Sequence, residues 1–190
     1  PPAERVVGTC RDYAVLLCSF LRYQGVPARV RNGFDTYFTP GLMGDHWICE
    51  YWHRDEGRWV QVDVQVDDVQ KGLFAIDFDP ADLPTGKFLY AGEAYLKALA
   101  GEIDANRCGI GELRGLWFVR GNVIRDLMAL NKLEVLPWDS NALMGSENTE
   151  LEPLIKDVAR MTADPMIPLD DLRATYEGHP EFRMPLDWQP

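Results

Sequence analysis

The sequence contains no apolar run approaching the roughly 20 residues that cross a bilayer, no leader-like segment, no low-complexity tract and no internal repeat. A membrane span and a secretory leader are therefore not expected. Its four cysteines, Cys10, Cys18, Cys49 and Cys108, form no CxxC pair and no Cys/His group with zinc spacing. That argues against a structural zinc site and a disulfide framework. The expectation is scattered reduced thiols, with no metal and no cofactor. There is no N-x-S/T sequon either, which makes a cytoplasmic setting the default.

Basic clusters are also missing. Only 19 Lys and Arg stand against 30 Asp and Glu, for a net charge of −11. A nucleic-acid binder needs a basic face to neutralise phosphates, and an anionic membrane surface would repel this chain, so neither partner is expected. An acidic balance would attract a cationic substrate, but it is more often a device for solubility.

What is present suits a globular protein: 190 residues, 46% hydrophobic and 26% charged. The chain does not open with Met, and its first helix motif follows after nine residues, which points to a piece of a longer chain. Thr9-Cys10-Arg11-Asp12 fits a capping box, with Thr9 as N-cap and Asp12 in the place usually held by Glu. Ala14, Leu17, Cys18 and Leu21 form an apolar stripe that Tyr13, Leu16 and Phe20 widen, so a central, buried helix is expected to Gln24. Gly25 and Pro27 end it.

Strands follow over Ala28–Phe34, Asp45–Trp52 and Arg58–Val66, the last two alternating in polarity around a turn at His53–Gly57. A tight loop centred on Arg54-Asp55 would set His46 opposite Asp63. A bulge at Gly57 would shift that register. Beyond them the pattern predicts helices over Gly92–Gly101, over Trp117–Leu133 with Pro137 as its stop, from the Asn148-Thr149/Glu152 capping signal to Met161, and over Pro168–Gly178. The tail from His179 reads as extended. The class is α+β.

Cys10 occupies the first helical position. Free backbone N–H groups and the positive end of the helix dipole favour negative charge there, and the thiolate is the nucleophilic form of cysteine. The same N–H groups can receive the oxyanion formed when a carbonyl is attacked. A nucleophile needs a base, and the base needs a group to orient it. Of the three histidines, His53 lies in a charged turn and His179 in the tail, which leaves His46 as the one headed for a packed interior. Asp63 stands among valines on the next strand, where a carboxylate is costly to bury unless paired.

At these residues the chain resembles the transglutaminase-like superfamily. Val7-Gly8-Thr9-Cys10-Arg11-Asp12-Tyr13-Ala14, with Gly25-Val26-Pro27-Ala28-Arg29, is similar to its nucleophile segment. His46-Trp47 with Glu50 resembles its histidine block, and Gly57-Arg58-Trp59-Val60-Gln61-Val62-Asp63 its aspartate block. The likeness runs over residues 5 to 66. It implies a papain-like core in which a Cys-bearing helix packs on an antiparallel sheet. On that reading residues 1–91 form the catalytic core and 92–190 a mostly helical extension packed on it.

The resemblance also implies thiol acyl chemistry without cofactor or metal. Cys10 would attack the carbonyl of a peptide, protein or small amide, His46 would move the proton, and Asp63 would hold His46. Transfer of the acyl group to an amine instead of water, or a silent binding module that keeps the fold, are the rival readings. Papain-like enzymes place a Gln upstream of the nucleophile in the oxyanion hole, and no Gln precedes Cys10 here. Trp47 and Trp117 are candidates to line the cleft, with core packing as the alternative for each. Arg114 and Arg120 bracket an aromatic stretch and could select a carboxylate, although solvated arginines flanking a core segment are the more ordinary reading. Arg29 and Arg31 read as strand-edge or solvated charges, and Glu50 as a surface or ion-pair residue.

Overall fold

Helix α1 (Cys10–Tyr23) starts where its cap predicts. In the computed structural model, which describes residues 7–145 and 149–188, Asp12 accepts a hydrogen bond from the Thr9 backbone N–H at 2.8 Å and from the Thr9 hydroxyl at 3.1 Å. The chain turns away at Gly25 with a left-handed φ of 76°. The helix is not enclosed on all sides, as its composition suggested. Ala14 and Cys18 are buried against the sheet, while Tyr13, Leu16 and Phe20 face solvent.

The sheet grows outward from strand β2. Strand β1 (Ala28–Asp35) pairs antiparallel with β2 (Met43–His53) along its whole length, from Ala28 opposite Tyr51 to Asp35 opposite Gly44. Strand β3 (Arg58–Val62) pairs with the other edge of β2, from His53 opposite Arg58 to Cys49 opposite Val62. The expected register is therefore corrected by two residues. The turn occupies Arg54–Gly57, with Gly57 at a φ of 62°, and the ladder ends at Val62 rather than Val66. Asp63 has already left the sheet, its N–H donating to the Pro80 carbonyl at 2.9 Å. By extension of the ladder it faces Ile48, not His46.

Helix α2 (Asp68–Phe74) and strand β4 (Phe88–Tyr90) follow, and β4 pairs antiparallel with Gly33–Asp35 of β1. Helix α3 (Ala91–Leu99) leads to strands β5 (Cys108–Ile110) and β6 (Leu113–Arg114). β5 runs parallel to β2 at Met43 and Gly44, an exception in an otherwise antiparallel sheet. Three helices follow: α4 (Leu116–Leu130), α5 (Glu152–Ala163) and α6 (Leu169–Gly178). The protein is α+β, a six-stranded sheet with six α-helices among the described residues and the Cys-bearing helix packed on it. β3 and β5 share one edge of β2 but leave Asp45–Ile48 between them without a strand partner on that side.

The central helix is α4. Every residue from Phe118 to Leu130 is buried, including Arg120, Asn122, Arg125 and Asp126. The helix ends at Leu130, well before Pro137, and Lys132 turns the chain at a φ of 64°. α4 lies along the stretch of β1 that β4 leaves open, and there Asp126 accepts the Asn32 N–H at 3.0 Å. Asp126 also pairs with Arg31 at 2.7 Å, and Glu50 pairs with Arg29 at 2.8 Å and Arg31 at 3.3 Å. Arg29 and Arg31 are thus interior rather than strand-edge or solvated charges, Glu50 is an ion-pair residue of the same buried cluster, and Tyr90 donates to Glu50. The α5 capping signal is partly outside the described residues at Asn148, and a 3-10 turn over Thr149–Leu151 precedes the helix. The tail is not extended: Pro180–Phe182 form a 3-10 turn that buries Phe182 completely.

Candidate active site

Asp63 and His46 meet although they are not paired on the ladder. His46 lies on β2 and Asp63 directly follows β3, so the two meet just beyond the end of the ladder. His46 Nε2 lies 2.8 Å from Asp63 Oδ2. The other oxygen of Asp63 accepts the Gln65 N–H at 3.0 Å, and the Tyr37 hydroxyl donates to Oδ2 at 2.5 Å. Sequence reasoning missed Tyr37. It lies in the loop between β1 and β2, where no periodicity marks it.

With Nε2 engaged by Asp63, Nδ1 is the ring nitrogen left for another partner, and the Cys10 thiol is near enough to bear on the His46 pKa. Cys10 is partly exposed at the first turn of α1, whereas His46 and Asp63 are buried behind it. The rings of Phe38 and Tyr37 pack edge-on against His46, with centroids at 5.3 and 6.2 Å. The unpaired gap in the edge of β2 is where this cluster fits.

The electrostatics follow from these contacts. Burial opposes protonation of His46, but hydrogen bonds to Asp63 and Cys10 and their charges outweigh it and raise its pKa well above the ordinary 6.5. Burial likewise pushes the Asp63 carboxyl up, and the hydrogen bond and charge of His46, with the donors Tyr37 and Gln65, overcome it and hold the pKa below the usual range. Burial and the facing Asp63 carboxylate raise the Tyr37 phenol, so it stays a donor. A thiol in reach of an imidazole that a carboxylate orients can pass its proton to the ring.

The Cys10 thiol opens on a cavity of about 270 Å³. Its walls are Ile110, Leu113, Phe118, Pro137 and Trp138, and Thr9 and Asp45 complete the lining with Cys10. Both aromatic walls come from the later half of the chain, so no local pattern around Cys10 announces them. Trp47, a candidate for this lining, is instead 1% exposed and packs with Ala14, Cys18 and Val30 beneath α1. It alternates with His46 along β2 and so points the other way. Trp117 lies on an adjoining hollow of about 520 Å³ that shares Leu113, Phe118, Pro137 and Trp138 with the thiol cavity. Arg114 and Arg120 line neither hollow. Arg114 donates to the Gly111 carbonyl at 2.6 Å, tying the β5–β6 turn, and the buried Arg120 donates to Leu143 at 3.0 Å. Among the described residues no group of three or more His, Cys, Asp or Glu side chains is placed to hold a metal ion. No described helix is long and apolar enough to cross a membrane.

Residues 3–64 match the family model of the transglutaminase-like superfamily. This segment is similar to the transglutaminase-like core. The match takes in α1 with Cys10, strands β1 to β3 and the two residues that follow, so it contains His46 and Asp63. The superfamily is one of papain-like thiol enzymes. No curated protein and no solved structure matches the chain.

Proposed function

We propose that this protein is a cysteine-dependent acyl-transfer enzyme that hydrolyses a peptide or other amide bond through Cys10, His46 and Asp63. The observation that carries the reading is the 2.8 Å contact between His46 and Asp63, with Cys10 near the same imidazole and on the lining of a cavity. In the first half-reaction the thiol proton passes to His46 Nδ1 and the sulfur attacks the amide carbon. The carbonyl oxygen, now an oxyanion, is received by backbone N–H groups at the start of α1. Collapse breaks the C–N bond, and the His46 proton goes to the leaving nitrogen. In the second half-reaction water gives its proton to His46 and its oxygen to the thioester carbon, which releases the acid and restores the thiol. Asp63 keeps Nδ1 aimed at the sulfur throughout and offsets the charge of the imidazolium.

Alkylation reads this directly. Iodoacetamide at neutral pH should modify Cys10 much faster than Cys18, Cys49 or Cys108, and His46→Gln should slow Cys10 alone. Equal, slow labelling of all four cysteines, unchanged by His46→Gln, sinks the proposal. Incubation of candidate amides with and without a primary amine then separates hydrolysis from amine transfer by the product formed.

A further inference from the structure

Asp45 is the one charged side chain among those that line the Cys10 cavity, and its contacts are lopsided. Oδ1 accepts two amide hydrogen bonds, from Asn122 Nδ2 at 2.7 Å and Asn32 Nδ2 at 3.2 Å. Oδ2 has no hydrogen-bond partner among the described residues, yet it is not sealed off. The two amides are themselves anchored. Asn32 is buried on β1, and Asn122 on α4 accepts from Arg125 Nη1 at 2.9 Å. Arg125 donates to Asn122 rather than to Asp45, but its charge opposes the burial that raises the Asp45 pKa, and its Nη2 donates to the Asp139 carbonyl at 3.2 Å.

The fold has thus built a carboxyl group that is held by one oxygen and offers the other to a cavity with apolar walls, next to the thiol. A carboxyl oxygen that no described protein donor engages is free to accept a hydrogen bond from a ligand. A positively charged N–H donor serves it best, because charge-assisted bonds are roughly twice as strong as neutral ones. The remaining walls, Ile110, Leu113, Phe118, Pro137 and Trp138, suit the alkyl or aryl part of the same ligand.

We propose that Asp45 is a substrate-binding residue that holds an alkylammonium group in the cavity beside Cys10. The substrate class is then an amide, or an amine partner, whose cationic nitrogen sits on an apolar stem. This rests on Cys10 being the reactive thiol, and the test keeps the two apart.

The probes are three thiol reagents of similar size, 2-bromoethylammonium, iodoacetamide and iodoacetate, with Cys10 modification followed by mass spectrometry at fixed ionic strength. Asp45→Asn removes the charge and keeps the amide contacts of the first oxygen. The ratio of ammonium to iodoacetamide rates should fall about tenfold in this variant, the size expected for one charge a few ångströms away in a partly solvated site, and the ratio for iodoacetate should rise. Unchanged ratios overturn the proposal. A second measurement uses the native chain. Butylammonium chloride should protect Cys10 from iodoacetamide, and sodium butyrate at the same concentration should not; equal protection by both, or by neither, also overturns it. Loss of the His46 dependence of iodoacetamide labelling would instead count against the thiol reading itself.

Discussion

The hydroxyl of Tyr37 donates to the same Asp63 oxygen that receives His46, at 2.5 Å against 2.8 Å. Tyr37 is not among the residues that line the cavity and its hydroxyl is engaged by Asp63, so its part is to position. A donor on Oδ2 fixes the carboxylate rotamer and hence the direction of the imidazole. Tyr37→Phe removes that bond and keeps the ring. A single net hydrogen bond is worth about 1 kcal/mol, so His46-dependent alkylation of Cys10 should slow by roughly three- to tenfold. Slowing of the same size in a His46→Gln background would show a merely structural effect.

The raised pKa of His46 and the lowered pKa of Asp63 couple the site to stability. His46 binds its proton more tightly folded than unfolded. Its contribution is therefore complete below about 6.5, the unfolded value, and is lost as pH rises through the higher folded value. Asp63 acts with the opposite sign: its contribution is present above about 3.8 and disappears as pH falls through the lower folded value. Between pH 6 and 10 the Tm of the native chain should fall more steeply than that of His46→Gln. Parallel Tm curves would contradict the assignment.

The Arg31–Asp126 pair, 2.7 Å long and fully buried, bridges β1 and α4. Removing one member leaves the other charged and unpaired in the interior, which typically costs about 3–5 kcal/mol. Asp126→Ala should lower stability by that order in urea denaturation. Glu56→Ala, which removes only the exposed contacts to Arg58 and His53, should change it by less than about 1 kcal/mol.

Gly92 tests packing against propensity. Glycine to alanine in a helix normally gains up to about 1 kcal/mol. In α3, however, a Cβ at position 92 would lie 2.3 Å from the Ala159 carbonyl oxygen and 2.4 Å from Thr162 Oγ1 on α5. The clash with backbone outweighs the propensity, so Gly92→Ala should lower the Tm. A rise would mean that α3 and α5 separate at little cost.

The elements that the sequence announces are those with strong local signals. α1 has its capping box and its Gly25 stop, β2 and β3 have alternation, and α3 to α6 have helical spacing. β4, β5 and β6 are three, three and two residues long, too short for any period to show. α2 went unseen because none of its residues is buried, which leaves no apolar stripe to read. Burial of Arg29, Arg31 and Glu50 was equally hidden, because a charged residue on a strand looks solvated until its partner is in place, and for Arg31 one partner, Asp126, lies 95 positions away.

By itself the sequence determined the α+β class, the helix that opens at Cys10, and the candidacy of His46 and Asp63, because caps, periods and the three blocks are all short-range patterns. The tertiary structure decided the two-residue shift of the hairpin, the gap in β2 that admits the site, the Tyr37 hydroxyl on Asp63, and the cavity walls Phe118 and Trp138. It also moved Trp47 into the core and left one oxygen of Asp45 open. Each of these depends on residues that are distant along the chain and meet only when α4 and the loops close over the sheet.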